Sequence, residues 1–182
     1  MSHEQLWAPW RLGYIQGSNP APPAPRPLRL LPDADPHCFL CRAAATPENS
    51  AAEVDRENLV VCRGPRTVTL LNRYPYCNGH LLIAPLAHLP TLDRLPAEVN
   101  LELIETMGQM TGLLERLVKA EGFNIGLNLG RVAGAGVPGH LHWHLVPRWS
   151  GDSNFMPILA DVSVIPQSLD ALLTLLREAI GE

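Results

Sequence analysis

The chain reads as an α+β fold in which an antiparallel sheet carries one long helix across it and a C-terminal helix. Three features point there. Short β-rich runs broken by turn signals fill residues 58–88, and apolar residues recur at helical spacing over 97–121. The stretch PGHLHWHLVPRW, residues 138–149, alternates His140, His142 and His144 with Leu141, Trp143 and Leu145, which is a strand pattern.

With 182 residues the chain fits one domain with an ordinary core. A hydrophobic content of 46% and a net charge of −4 exclude a disordered chain and leave no global basic field for nucleic acid. Any anionic ligand must be held locally. No apolar run approaches the ~18 residues of a membrane span. The start MSHEQLWAPWRLGYI lacks a basic region followed by an apolar core and cleavage site, so cytoplasm is the expected compartment and no membrane partner is expected.

In order along the chain, residues 1–36 read as an arm and linker, and 37–182 as the folded domain. LWAPWRLGYI carries Trp7, Trp10 and Tyr14, a patch expected to pack on the body or on another subunit, consistent with a homo-oligomer such as a dimer. Residues 17–36 are crowded with proline and should be an extended, partly mobile surface segment. Cys38 and Cys41 follow at C-x-x-C spacing. They are either half of a metal site or two ordinary thiols, since zinc needs four ligands. Redox chemistry of the thioredoxin kind wants such a pair opening a helix after a buried strand, whereas PHCFLCRAA follows the Pro-rich linker.

The runs NLVVCRG, TVTLLNRYPY and GHLLIAPLAH then form an antiparallel meander, with YCNG as a turn. Val99, Leu103, Ile104, Met107, Met110, Leu113, Leu114, Leu117 and Val118 make the core stripe of the 97–121 helix. GFNIGLNLG at 122–130 is a strand, AGAGVPG at 133–139 a Gly-rich loop, and VIPQSLDALLTLLREAI at 164–180 the last helix. The loop precedes a strand rather than a helix, so it is neither a P-loop nor a dinucleotide fingerprint. Its Gly134, Gly136 and Gly139 either nest a phosphate on backbone N–H groups or serve a tight turn.

On a strand the three imidazoles share one face, spaced by roughly 6–7 Å. Two of them can then serve one metal or one phosphate. A catalytic His-x-His metal centre of a metallohydrolase is one reading; an inert nucleotide-binding scaffold is another.

The run His-Leu-His-Trp-His-Leu-Val resembles the motif of the histidine triad (HIT) superfamily, His-φ-His-φ-His-φ-φ with φ apolar. LWAPWRLGYI, CFLC, LLNRYPYCNGHLLIAPLAH, FNIGLNLG and PRWSGDSNF look like blocks of its bacterial branch of diadenosine tetraphosphate (Ap4A) phosphorylase-like proteins. The resemblance implies an antiparallel HIT-like sheet and an enzyme acting on an adenine nucleotide or dinucleoside polyphosphate, without an organic cofactor. It casts His142 as the nucleophile that attacks an α-phosphorus, with His140 and His144 beside it. Nucleoside phosphoramidase or adenylyl hydrolase activity is the alternative within the family.

The same resemblance implies structural zinc on Cys38, Cys41, His88 and His140. It implies ribose contact by Asn72, a base pocket with Leu71 and Tyr74, and phosphate contacts by Asn128 and the loop from Gly134 to Gly136. His80 and His144 would line that pocket. Arg148 either reaches a distal phosphate or serves a surface salt bridge. The sequence departs from many HIT hydrolases just before the triad, where Gly136, Val137 and Pro138 replace a Gln or Ser that assists the leaving group. That mildly favours a phosphorylase or transferase over a phosphoramidase.

Overall fold

The structure is a computed structural model describing residues 28–47, 51–152 and 167–181. The aromatic arm and residues 164–166 of the expected last helix lie outside the described residues. β1 (Leu28–Arg29) pairs antiparallel with β2 (Thr46–Pro47), and between them runs α1 (Phe39–Ala44); α2 (Ala51–Glu57) follows. The main sheet uses β3 (Val60–Arg63), β4 (Thr67–Leu71) and β5 (Leu81–Pro85). After α3 (Ala97–Val118) come β6 (Gly122–Leu127), β7 (Trp143–Arg148) and α4 (Leu169–Ile180). The five strands are antiparallel in the order β3-β4-β5-β7-β6. The expected architecture is therefore the observed one.

Period-two alternation sorts the sheet's side chains onto two faces. Leu71, Leu81, Ile83 and Leu145 join Leu103, Met107, Met110, Leu113 and Leu114 of α3 and Leu172, Leu173 and Leu176 of α4 in one core. Each such buried side chain contributes about 2 kcal/mol of apolar transfer. Val60, Val68, Leu70, Leu82 and Ala84 face the other way, against Leu40, Cys41, Ala43 and Ala44 of α1. Arg63 ties this face together. Its guanidinium donates to Asp55 at 2.9 and 2.7 Å and to the Ala43 carbonyl at 3.0 Å, so the buried Asp55 is paired and hydrogen-bonded.

Boundaries differ from the sequence expectations for local reasons. α3 stops at Val118 because Lys119 turns into the left-handed region at φ 55, and β6 ends at Leu127 rather than 130. α4 starts at Leu169, where Ser168 accepts a hydrogen bond from the Ala171 N–H at 3.2 Å, and Gly181 at φ 82 closes it. α1 and α2 are too short to show a helical period. Nor does the histidine strand begin at His140: pairing with β5 runs from Leu81↔Leu145 to Ile83↔Trp143, and beyond it the Leu141 N–H bonds the Leu89 carbonyl at 2.8 Å. Among the described residues no helix is long and apolar enough to cross a membrane.

Candidate active site

The alternation survives past the end of β7. Leu141 and Leu145 sit in the helix-side core, while His140, His142 and His144 project onto the α1 side. Leu82 stands opposite His144 from β5, and Gly126 opposite it from β6, so a small residue flanks the row on its open side. The ring centroids of His142 and His144 are 5.2 Å apart.

His142 is buried, and its Nδ1 lies 2.8 Å from the His140 carbonyl oxygen. A carbonyl only accepts, so Nδ1 carries the proton and Nε2 keeps its lone pair. Burial lowers the pKa of this imidazole below its ordinary value, against the opposing pull of the carbonyl bond. A neutral imidazole with a fixed tautomer and an unprotonated Nε2 is a nucleophile poised for neutral pH.

His140 is turned the other way. Its Nε2–H donates to the Pro85 carbonyl at 2.8 Å, which leaves Nδ1 unprotonated, 3.5 Å from Cys38 Sγ and 3.4 Å from Cys41 Sγ. His88 Nδ1 is 3.1 Å from Cys41 Sγ, and the four donor atoms lie within 4.8 Å of one another. Tetrahedral zinc with its usual bond lengths sets ligand atoms roughly 3.3–3.8 Å apart, so the spacing fits, as does the tautomer of His140. Burial pushes the Cys41 thiol up to about 12, a protonated form that a bound divalent cation would reverse, and His140 down to about 4, which keeps its imidazole in the neutral form a metal takes. These residues could hold a metal ion. Gly139 makes room for the His88 ring, since a Cβ there would lie 3.0 Å from His88 Nε2. Contrary to the linker argument, the cysteine pair does open a helix: Cys38 caps α1 and Cys41 lies within it, but with two imidazoles at hand and, among the described residues, only the two-residue β1 before it.

The clustering answers one alternative. A catalytic His-x-His centre needs His140 and His142 on one ion, yet among the described residues the metal-competent cluster takes His140 alone from the triad. The Nδ1–H of His142 is committed to a carbonyl.

At the far end of the row, His80 is fully buried, with its Nε2 3.0 Å from His144 Nδ1. Asn72 stands behind it: the Asn72 amide nitrogen lies 3.3 and 3.4 Å from the two His80 ring nitrogens, and its oxygen accepts from the Tyr74 N–H at 3.0 Å. Asn72, Tyr74, His80 and His144 are thus gathered. Asn128 joins the Gly-rich loop, where a Cβ on Gly134 would lie 3.9 Å from its amide nitrogen. Gly134 itself, at φ 90, gives its N–H to the Arg131 carbonyl at 3.0 Å, so that N–H serves the turn and not a phosphate; Gly136 is exposed.

Two expected contacts are not brought to the row. Leu71 packs in the helix-side core, 1% exposed, because its position on β4 points it away from the imidazoles. Arg148 spends its guanidinium on Asp152 and on Asn124 Oδ1 at 2.9 Å, the surface salt bridge rather than the phosphate arm. Conversely, the sequence reading passed over Tyr76. Its ring stacks on His80 at 4.6 Å and 17°, and its peptide N–H reaches His80 Nδ1 at 3.1 Å. The signal was its place in the YCNG turn, four residues before His80.

A histidine row on an antiparallel sheet, with one buried imidazole held in a nucleophilic tautomer, defines a candidate site for nucleophilic catalysis by histidine. The HIT domain family matches residues 53–151, and the chain belongs to it. It is 35% identical over 170 residues to AP-4-A phosphorylase of Mycobacterium tuberculosis, covering 91% of this chain and 78% of that protein. Among solved structures it is similar to a hypothetical histidine triad nucleotide-binding protein from Sulfolobus tokodaii (TM-score 0.56, 26% identity, 67% of this chain and 83% of that one). A Zn-bound histidine triad family protein from Mycobacterium smegmatis shares the fold (TM-score 0.55, 24% identity, again 67% and 83%).

Proposed function

We propose that this protein is a nucleotidyl transferase that cleaves the α-phosphate anhydride of dinucleoside polyphosphates through a covalent nucleotidyl-histidine on His142. The observation carrying this reading is the His142 Nδ1–H bond to the His140 carbonyl, which leaves Nε2 unprotonated. The similarity to AP-4-A phosphorylase supports the substrate class. In the first step Nε2 attacks the α-phosphorus of Ap4A: an N–P bond forms, the bridging P–O bond breaks, and ATP leaves with the electron pair. In the second an oxygen of inorganic phosphate attacks the same phosphorus, the N–P pair returns to Nε2, and ADP is released.

Asn72 and Tyr74 support the nucleoside end, and Asn128 with the loop at Gly136, which the Gly134 turn shapes, the phosphates. We assign zinc to Cys38, Cys41, His88 and His140. With four protein ligands its chemistry is structural, pinning α1 to the segment that carries the nucleophile. No disulfide joins Cys38, Cys41, Cys62 or Cys77, which suits a reducing cytoplasm. Residues 37–182 make the catalytic domain on this reading, with β1 of the preceding segment paired to it through β2. A second copy is the natural cover for Leu101, Ile104 and Ile125, all 48% exposed or more, along the edge strand β6 and α3. Sedimentation of Ile104→Glu should show a lighter species than wild type; identical behaviour removes that interface.

The test of function is mass spectrometry of Ap4A products with and without inorganic phosphate, beside His142→Ala. ADP plus ATP only with phosphate, and neither from the variant, is the expected result. AMP plus ATP regardless of phosphate makes water the acceptor, and turnover by the variant removes the covalent histidine.

A further inference from the structure

The hydrogen bonds around His80 have a direction. A peptide N–H can only donate, so the Tyr76 N–H, 3.1 Å from His80 Nδ1, makes that nitrogen an acceptor. The Asn72 amide nitrogen, its oxygen being taken by the Tyr74 N–H, also donates towards Nδ1 at 3.3 Å and lies 3.4 Å from Nε2, so with Nδ1 accepting from two donors the proton of neutral His80 is on Nε2, 3.0 Å from His144 Nδ1. His144 Nδ1 must accept in turn, and the proton of neutral His144 is on its own Nε2. Protonating His144 at Nδ1 would set two N–H groups against each other. Flipping His80 to relieve that clash would turn its Nδ1–H on the Tyr76 N–H, and the peptide has no second tautomer. Stacking of Tyr76 on His80 holds the ring in this orientation. From the neighbouring elements, His142 on the same segment, Leu82 on β5 and Gly126 on β6 face His144.

We infer that Tyr76 and His80 lock His144 as a permanent Nε2–H donor, so that His144 offers a phosphate oxygen a hydrogen bond while the described residues of the row offer the leaving group no proton. His80 is on this account a positioning residue. The consequence is a choice of substrate that rests on the functional reading above. A polyphosphate leaves as a weakly basic anion and needs only charge stabilisation. An amine leaving a phosphoramidate must collect a proton as the P–N bond breaks. Gly136, Val137 and Pro138, just before the histidine row, carry no side-chain proton to give. The site therefore favours P–O–P over P–N substrates.

The experiment is nitrogen-15 NMR of histidine-labelled protein, with steady-state kinetics on Ap4A and on an AMP–alkylamine phosphoramidate across a pH series. For wild type, both His80 and His144 should report the neutral Nε2–H tautomer around neutral pH, and kcat/KM should favour Ap4A by about a hundredfold or more, the scale of one general-acid contribution. His80→Gln offers an amide oxygen to Tyr76 and an amide N–H to His144, and should keep the tautomer and the preference. His80→Ala should mix the His144 tautomers, move the pH profile, and lower kcat on Ap4A more than it raises KM. An Nδ1–H signal from His144, or equal turnover of the phosphoramidate by wild type, overturns the lock while leaving nucleotidyl transfer intact. Failure of wild type to turn over Ap4A or form a covalent adduct sinks the functional reading instead, and the wild-type NMR spectrum still decides the tautomer.

Discussion

The two ends of the histidine row are built from the same side chain at the same spacing, yet they do opposite things. At one end His140 gives Nε2–H to Pro85 and turns its bare Nδ1 on two thiols. At the other, His144 receives a hydrogen at Nδ1 from His80 and presents Nε2–H. Between them His142 borrows its tautomer from the backbone of its neighbour. Each imidazole's role is set by whatever donor or acceptor another part of the chain places against one nitrogen. Residue type supplies the potential, and the partner selects the use.

The comparison breaks most completely at the centre. His142→Ala should lower kcat on Ap4A by about 10⁴-fold or more and leave the melting temperature nearly unchanged. A variant that loses its fold as well would mean that the middle histidine is structural like its neighbour. At the metal end the pattern should invert. Cys41→Ser, or chelation of a metal-loaded sample, should cost about 2–4 kcal/mol and roughly 5–15 °C of melting temperature, because site binding energy is folding energy. Residual turnover should persist in the folded fraction. Calorimetry showing no shift would empty the zinc assignment.

A finer probe is Gly139→Ala. The added Cβ would stand 3.0 Å from His88 Nε2, so the ring must give way, and metal affinity should fall about tenfold or more. Competition with a chromophoric chelator measures this, and an unchanged affinity would mean that His88 is free to shift.

The smallest effect belongs to the far end of β7, beyond the row. Hydrogen bonds from Arg148 hold the Asp152 carboxyl below the usual carboxylate range. A depressed carboxylate stabilises the fold above its unfolded pKa of about 4 and loses that contribution as pH falls through the lower folded value. Arg148→Ala should thus cost about 0.5 kcal/mol or less near neutrality, and the difference from wild type should vanish in acid. Denaturant titrations at both pH values check it. A large loss of Ap4A turnover would return Arg148 to the phosphate arm.

Much of this was legible in the residues. The meander, the long helix and the last helix follow from periods of two and 3.6, which are local. α1 and α2 were not, since a helix of two turns or fewer is held by packing and shows no period. The histidine row, the cysteine pair and the His88 partner were readable by spacing and resemblance. Tyr76 was harder to read, because one of its two contributions to His80, beside the stacked ring, is a backbone N–H, which every residue but proline carries. Leu71 was misjudged for a related reason: one step along β4 moves a side chain to the other face of the sheet, and the sequence near a strand end does not say where the pleat starts.

By itself the sequence determined the fold class, the family and the set of chemical groups available, since these depend on local pattern and composition. The tertiary structure decided which nitrogen of each histidine is bare. That choice rests on Pro85, His80, Tyr76 and the two cysteines arriving from distant parts of the chain. A tautomer is settled by a partner about 3 Å away, and only the closed sheet brings these partners within that distance.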